Sequence, residues 1–385
     1  MAALSILLLI PACSQADKSQ DPTSLVNPFI DTHNSRWFYF SSASRPFGMV
    51  NLSPDTHTKG SWSSGYLYDS LTVRCFSHVH AWQLSGIPVM PTTGEFKGHL
   101  GMDHYKSSFS HDSEVAKPGY HKVFLTDYGI KAELTSTTRV GFHRYEFPEE
   151  RKRHVIFDLG AYLAHAETDS FEVMKISDTE IAGFSVMGST VRRPKPTRIY
   201  FIARFNQPVS TFGGWIDSSL VDTGIDRISA KNGGAYVKFG KQSHEPVLMK
   251  VAISYTGIDQ ARLNMETELS HWDFDRVVQE SDDVWNRWLG KIEIKGGTKK
   301  QRVKFYTDLW HSLKGRRIVS DVDGTYCDMT GDKPVIRQVA LDEQGKPKHN
   351  QYNFDAWWGS HWTLNVLWSM VYPGLMDEFC NSMVE

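Results

Sequence analysis

Close to residue 260 the hydrophobic repeat of this 385-residue chain switches from alternation to a period of about 3.6. A chain patterned in that order has few choices. It must bury alternate side chains in a β-rich unit and then bury one stripe of each helix in a second unit. Upstream, the segments 120–127, 130–137, 141–147 and 154–159 are rich in β-branched and aromatic residues. They are cut by Asp127-Tyr128-Gly129, Pro148-Glu149-Glu150 and Gly160. Segments at 172–177, 180–187, 197–206, 235–239 and 246–255 continue the series, and 199–205 switches face at each step. Strands at this spacing, with no helical pattern between them, predict a large antiparallel β-sandwich over 25–260.

Downstream, Phe274, Val277, Val278, Ser281, Trp285, Trp288 and Leu289 predict a helix over 274–289. Val303, Tyr306, Trp310 and Leu313 predict a second over 299–313, after a hairpin-like connection at 291–297. Leu364, Leu367, Trp368 and Val371 predict a third over 357–372, and another helix starts at Leu375. So few helices do not close a barrel. The segment 261–385 is therefore expected to be the N-terminal part of a helical domain, truncated from a longer chain. Its unpartnered apolar faces predict an aggregation-prone protein.

The first residues carry an address. An apolar run at 3–10 is too short to span a bilayer and ends in Pro11-Ala12-Cys13, followed by a polar stretch. Residues 1–24 thus read as a lipoprotein-type signal peptide and linker, with Cys13 as the lipid-bearing residue; no Lys or Arg precedes the apolar run, and a plain cleaved signal of a secreted protein is the alternative. A bacterial periplasmic or outer-membrane location follows, and any contact with a membrane would run through that lipid. The remaining Cys75, Cys327 and Cys380 are scattered and give neither a disulfide framework nor metal-ligand spacing. Lys plus Arg number 42 against 44 Asp plus Glu, a balance that argues against a nucleic-acid partner. The 12 Trp are the compositional signal, because indole faces stack on the apolar C–H face of a sugar ring as readily as they fill cores.

No phosphate-binding glycine loop, dinucleotide fingerprint, metalloprotease His pair or nucleophile elbow is present. Polar density concentrates instead at 27–32, 43–56, 76–82 and 91–94. On an extended segment His78, His80 and Trp82 would share one face, suited to hydroxyl bonding and ring stacking. A structural histidine pair is the alternative, and spacing supplies no third ligand for a metal. Asp321 and Asp323 in Ser-Asp-Val-Asp-Gly look like the start of a calcium loop, but the pattern does not continue and a turn with Asx hydrogen bonds is expected.

Taken in order, Val-Asn-Pro-Phe-Ile, Ala-Ser-Arg-Pro-Phe-Gly-Met-Val, Leu-Ser-Pro-Asp-Thr, Gly-Tyr-Leu-Tyr-Asp, Phe-Ser-His-Val-His and Met-Pro-Thr-Thr-Gly resemble the N-terminal domain of glycoside hydrolase family 92. Ser320–Tyr326, Ser-Asp-Val-Asp-Gly-Thr-Tyr, resembles the entry to that family's second domain, and the resemblance runs from about Leu25 to the last residue. It implies a β-sandwich followed by an (α/α)6 barrel, here truncated, with the active site between them. The activity it implies is calcium-dependent, exo-acting and inverting hydrolysis of terminal α-linked mannose in glycans. The resemblance also implies that acid, base and calcium ligands all lie beyond Glu385, so no catalytic residue and no metal ligand is assigned within this chain.

The match departs from the family at one telling place. The family carries Trp-Asp-Thr followed two residues on by Arg, where Asp and Arg help hold the terminal sugar. Here the stretch reads Trp358-Gly359-Ser360-His361-Trp362, so Gly359 and Trp362 occupy the Asp and Arg positions, and Asp355 is the nearby carboxylate to compensate. Two further departures are Trp37-Phe38-Tyr39-Phe40-Ser41-Ser42, in place of a glycine-rich stretch, and Leu84-Ser85-Gly86-Ile87-Pro88 after the histidine pair. The candidate sugar-contacting residues are His78, His80, Trp82, Asp355, Trp358 and His361. An α-mannosidase-type hydrolase is the leading expectation, with a vestigial carbohydrate-binding fragment as the alternative. A glycoside phosphorylase is third, since other families also join a sandwich to such a barrel.

Overall fold

The computed structural model describes residues 21–33, 41–60, 64–149, 151–221, 224–240, 245–355 and 357–385. The leader with Cys13 and the residues 37–40 lie outside them. Two antiparallel sheets, of seven and nine strands, form the first part of the chain. The nine-stranded sheet is centred on Ile130–Ser136, Val140–Glu146, Val247–Ser254, Thr197–Phe205 and Glu180–Met187, neighbours in that order. The seven-stranded sheet is centred on Val89–Thr93, Arg153–Phe157, Gly233–Phe239 and Val209–Ile216. Phe157 of one sheet stacks on Phe201 of the other at 5.8 Å, inside a core that also holds Tyr145, Phe171 and Met249. A β-sandwich followed by helices is therefore the observed order.

The alternation at 199–205 explains how the two units join. Ile199, Phe201, Ala203 and Phe205 turn into the core between the sheets, while Ile202 turns outward and is equally buried. Its cover is helical: Ile258–Glu268 and Phe274–Leu289 place Ala261, Met265, Phe274 and Val277 over Phe142, Ala182, Ile202 and Ala252. The centre of the nine-stranded sheet is thus buried on both faces, one against the other sheet and one against helices.

The expected helix at 274–289 is present with those bounds, capped by the Asp273 side chain, which accepts from the Arg276 N–H at 3.0 Å. Lys299–Ser312 starts at a capping box made by Thr298 and Gln301. The expected helix at 357–372 is divided: a single 3-10 turn, Trp357–Gly359, precedes Leu364–Val371. Ser360 accounts for part of the break, since its hydroxyl donates back to the Trp357 carbonyl at 2.7 Å. The connection at 291–297 contains turns rather than a hairpin, and the hairpin in this half pairs Thr325–Asp328 with Val335–Gln338. No described helix is long and apolar enough to cross a membrane.

Sandwich and helices are stitched by named residues. Phe47 enters the helical core, with its ring 5.4 Å from Trp368 and 5.6 Å from Trp288. Its N–H donates to the Leu313 carbonyl at 3.2 Å and its carbonyl accepts from Ile318 at 2.8 Å. The Trp285 indole donates to the Ser44 carbonyl at 2.8 Å. Buried Arg139 reaches Glu268 at 2.7 Å, the Ser320 carbonyl at 2.8 Å and Asn350 at 3.1 Å. Asp321 accepts from Ser254 at 2.8 Å and Asn264 at 2.7 Å, and the Asp323 carboxylate caps the Thr325 N–H at 3.0 Å. The Ser-Asp-Val-Asp-Gly segment is therefore an Asx-type turn that ties strand, helix and hairpin together.

Candidate functional site

Where the end of the sandwich meets the helices, charged side chains from both parts converge. Arg193, in the loop after Glu180–Met187, donates through Nε to the Trp82 carbonyl at 2.8 Å and through Nη2 to the Asp355 carboxylate. Arg317 brings Nη1 to within 3.9 Å of the same carboxylate and donates through Nε to the Tyr255 hydroxyl at 3.3 Å. Arg192 lies over the Trp82 ring at 5.3 Å, and its backbone N–H donates to the Gln83 side chain at 3.0 Å. Burial pulls the Arg193 guanidinium below its usual pKa, and Asp355 pulls the other way. A guanidinium remains charged at any working pH, so the pair is ionic.

The turn after Asp355 faces solvent. Trp358 and Trp362 are each 71% exposed, which is unusual for indoles. His361 donates through Nδ1 to the Trp358 carbonyl at 2.7 Å, and its ring lies 4.4 Å from that of Trp362. Asp355 and Trp82 are thus joined through Arg193, and Trp358 and His361 stand on the adjoining exposed turn.

The histidine pair sits deeper. His78 is enclosed in the sandwich, where Nδ1 donates to the Ile87 carbonyl at 2.7 Å. That bond leaves its Nε2 as an acceptor, so His143 must donate from Nε2 across 2.9 Å, and Tyr145 must donate to His143 Nδ1 at 2.8 Å. Burial holds His78 down at about 4 and His143 well below its usual value, so both rings are neutral. His80 donates from Nδ1 to the Asn51 carbonyl at 2.5 Å and meets Asp55 at 2.9 Å through Nε2. Burial opposes its charge most strongly, but the Asp55 carboxylate and the Asn51 carbonyl together lift its pKa. His78 and His80 therefore shape the turn that carries Trp82 and Ile87, whose φ is +52°.

Two family models match this chain: the glycosyl hydrolase family 92 N-terminal domain over residues 25–254 and the family 92 catalytic domain over residues 260–385. The chain belongs to glycosyl hydrolase family 92. A solved family 92 α-mannosidase from Bacteroides thetaiotaomicron is similar at TM-score 0.83 and 27% identity, over 94% of this chain and 49% of that one. The same enzyme is also solved with mannoimidazole, at TM-score 0.82. A family 92 inverting mannosidase from that bacterium matches in fold, at TM-score 0.81 and 22% identity, over 95% of this chain and 48% of that one. A protein of Arthroderma benhamiae described as an uncharacterized secreted glycosidase is 24% identical over 333 residues, 77% of this chain and 40% of that protein. This family 92 chain therefore spans about half the length of the relatives it matches, or less.

The donor sets among the described residues do not fit calcium. Asp355 sits between guanidiniums, which repel a cation. Asp31, Asp308 and His311 bring ligand atoms within 4.8 Å of one another, but Asp308 is held by Lys304 at 2.6 Å and the third donor is an imidazole nitrogen. Calcium takes six to eight oxygens, which neither set supplies. Sequence reasoning missed Arg193, Arg317, Asp55 and His143. The doubled arginines at 192–193 and 316–317 were the available signal for the first two. Asp55 stood in a segment already marked as polar, and His143 had no signal.

Proposed function

We propose that this family 92 protein acts on terminal α-linked mannose of glycans as an exo-acting, inverting hydrolase. Similarity to an α-mannosidase over 94% of the chain supports that reading most strongly. In it, Asp355 accepts hydroxyl protons of the terminal sugar, while Arg193 holds the carboxylate and ties it to the Trp82 turn. Trp358 offers an exposed indole for the apolar face of the ring, beside His361. Inversion needs a general acid and a general base about 6.5–9.5 Å apart. We place both, together with any calcium ligands, in the part of the relatives' length that these residues do not span. Export as a secreted protein or a lipoprotein anchored through Cys13, to the periplasm or the outer-membrane surface, belongs to the same proposal.

The test is the anomer released. Protein isolated from the cells that make it, mixed with an aryl α-mannoside, is expected to give β-mannose first by proton NMR. Release of α-mannose first, or of a sugar phosphate only when phosphate is added, would contradict the reading. Binding without hydrolysis is the second reading, and Gly359 and Trp362 at the motif's charged positions favour it.

A further inference from the structure

A cavity of about 370 Å³ opens on the seven-stranded side of the sandwich, and every residue lining it lies between Thr58 and Gly233. It shares no residue with the junction of Trp82, Arg193 and Asp355. That volume is at the lower end of small-molecule sites.

Its floor is chemically odd. Asp158 ends the strand Arg153–Phe157, is only 8% exposed, and receives a hydrogen bond on Oδ2 from the Tyr105 hydroxyl at 2.6 Å. Among the described residues no other side chain bonds this carboxylate, although its residue borders the cavity. Burying a carboxylate with a single donor is costly, and such a group calls for a further donor. Burial raises its pKa to about 7, which is consistent with that deficit.

The walls supply the rest. Tyr162, 37% exposed, and the buried Trp215 both line the cavity. Asn232 and Asp217, bonded to each other at 3.3 Å, offer amide and carboxylate groups on one side. Arg74, which also lines the cavity, is paired with Asp103 at 2.9 Å. Gly160 and Gly233 let two chain segments touch, with Gly160 donating to the Gly233 carbonyl at 2.8 Å. A Cβ on Gly160 would fall 2.5 Å from the Gly233 nitrogen. The wall depends on that contact.

A carboxylate short of donors, an amide, the cations of Arg74 and Lys59 and aromatic faces in a small cavity match a polyhydroxylated ring better than an apolar ligand. We propose that this cavity is a second carbohydrate-binding site, holding one neutral pyranose by hydroxyl donation to Asp158 and packing against Tyr162. It does not depend on hydrolysis at the junction.

Titration of the 385-residue protein with methyl α-mannoside and methyl α-glucoside, followed by NMR, tests this. At least one glycoside should bind with Kd of about millimolar order. Read at the resonances of the cavity's own residues, Tyr162→Ala should weaken that binding about fivefold, whereas Trp358→Ala should leave it unchanged. Asp158→Asn should also weaken it, and Asn232→Ala serves if the Asp158 variant does not fold. Absence of binding by either glycoside, or binding insensitive to Tyr162→Ala and Asn232→Ala, would show a solvent-filled structural cavity only and overturn the proposal. Loss of binding through Trp358→Ala alone would assign the sugar to the junction and overturn it as well.

Discussion

Asp355 is the residue on which the junction turns, because two arginines from different parts of the chain share its carboxylate. Asp355→Asn should therefore weaken sugar binding at the junction and lower stability by about 1–3 kcal/mol, since Arg317 is buried and would lose its counter-charge. Urea denaturation of the two proteins measures that loss, and an unchanged midpoint contradicts it. Asp158 gives a pH signature. Burial lifts its folded pKa to about 7, above the ordinary aspartate value of 3.8, so the native state holds the proton longer than the unfolded chain does. The stability it contributes is greatest below about pH 4 and falls as the pH rises towards about 7. Asp158→Asn should flatten the dependence of stability on pH across that window, and an unaltered slope would refute the assignment. At this scale the sequence was legible in part. The run from His78 to Trp82 could be marked from its residue types. Its depth could not, because His78 is paired with His143, 65 positions away, a contact that no local pattern encodes.

At the scale of elements, the Ala-Ser-Arg-Pro-Phe-Gly segment is a plug. Phe47 adopts φ of +52° so that its ring can enter the helical core, and Ser44 receives the Trp285 indole. Phe47→Ala should cost about 3–5 kcal/mol. It should also let the helical part melt before the sandwich, giving two calorimetric transitions in place of one. A single transition at an unshifted temperature would argue against the plug. Helix 274–289 was readable end to end, since its cap and its apolar stripe agree. The stretch 357–372 was not. Its apolar spacing is helical, but Ser360 turns back on Trp357 and the helix restarts only at Leu364. The strand Val209–Ile216 also escaped, because Gly213 and Gly214 interrupt its β-branched pattern.

For the whole molecule, the change of repeat near residue 260 foretold the order of sandwich and helices. The pairing of strands across sheets was beyond it, because register is set by contacts between distant segments. The helical part leaves Trp362, Val366 and Met370 exposed on one side of Leu364–Val371, at 71%, 50% and 78%. This face should drive concentration-dependent association in sedimentation experiments, and Val366→Lys with Met370→Lys should suppress it. A sample that stays monomeric without the substitutions contradicts that expectation. The central claim is that the junction of Trp82, Arg193, Asp355 and Trp358 receives a terminal α-mannoside. Fluorotryptophan labelling resolves it, with signals assigned by single Trp→Phe changes. On titration with methyl α-mannoside the resonances of Trp82 and Trp358 should move together, and Asp355→Asn should abolish the shift of both. If neither signal moves at saturation, or if only Trp215 responds, the junction is not the sugar site.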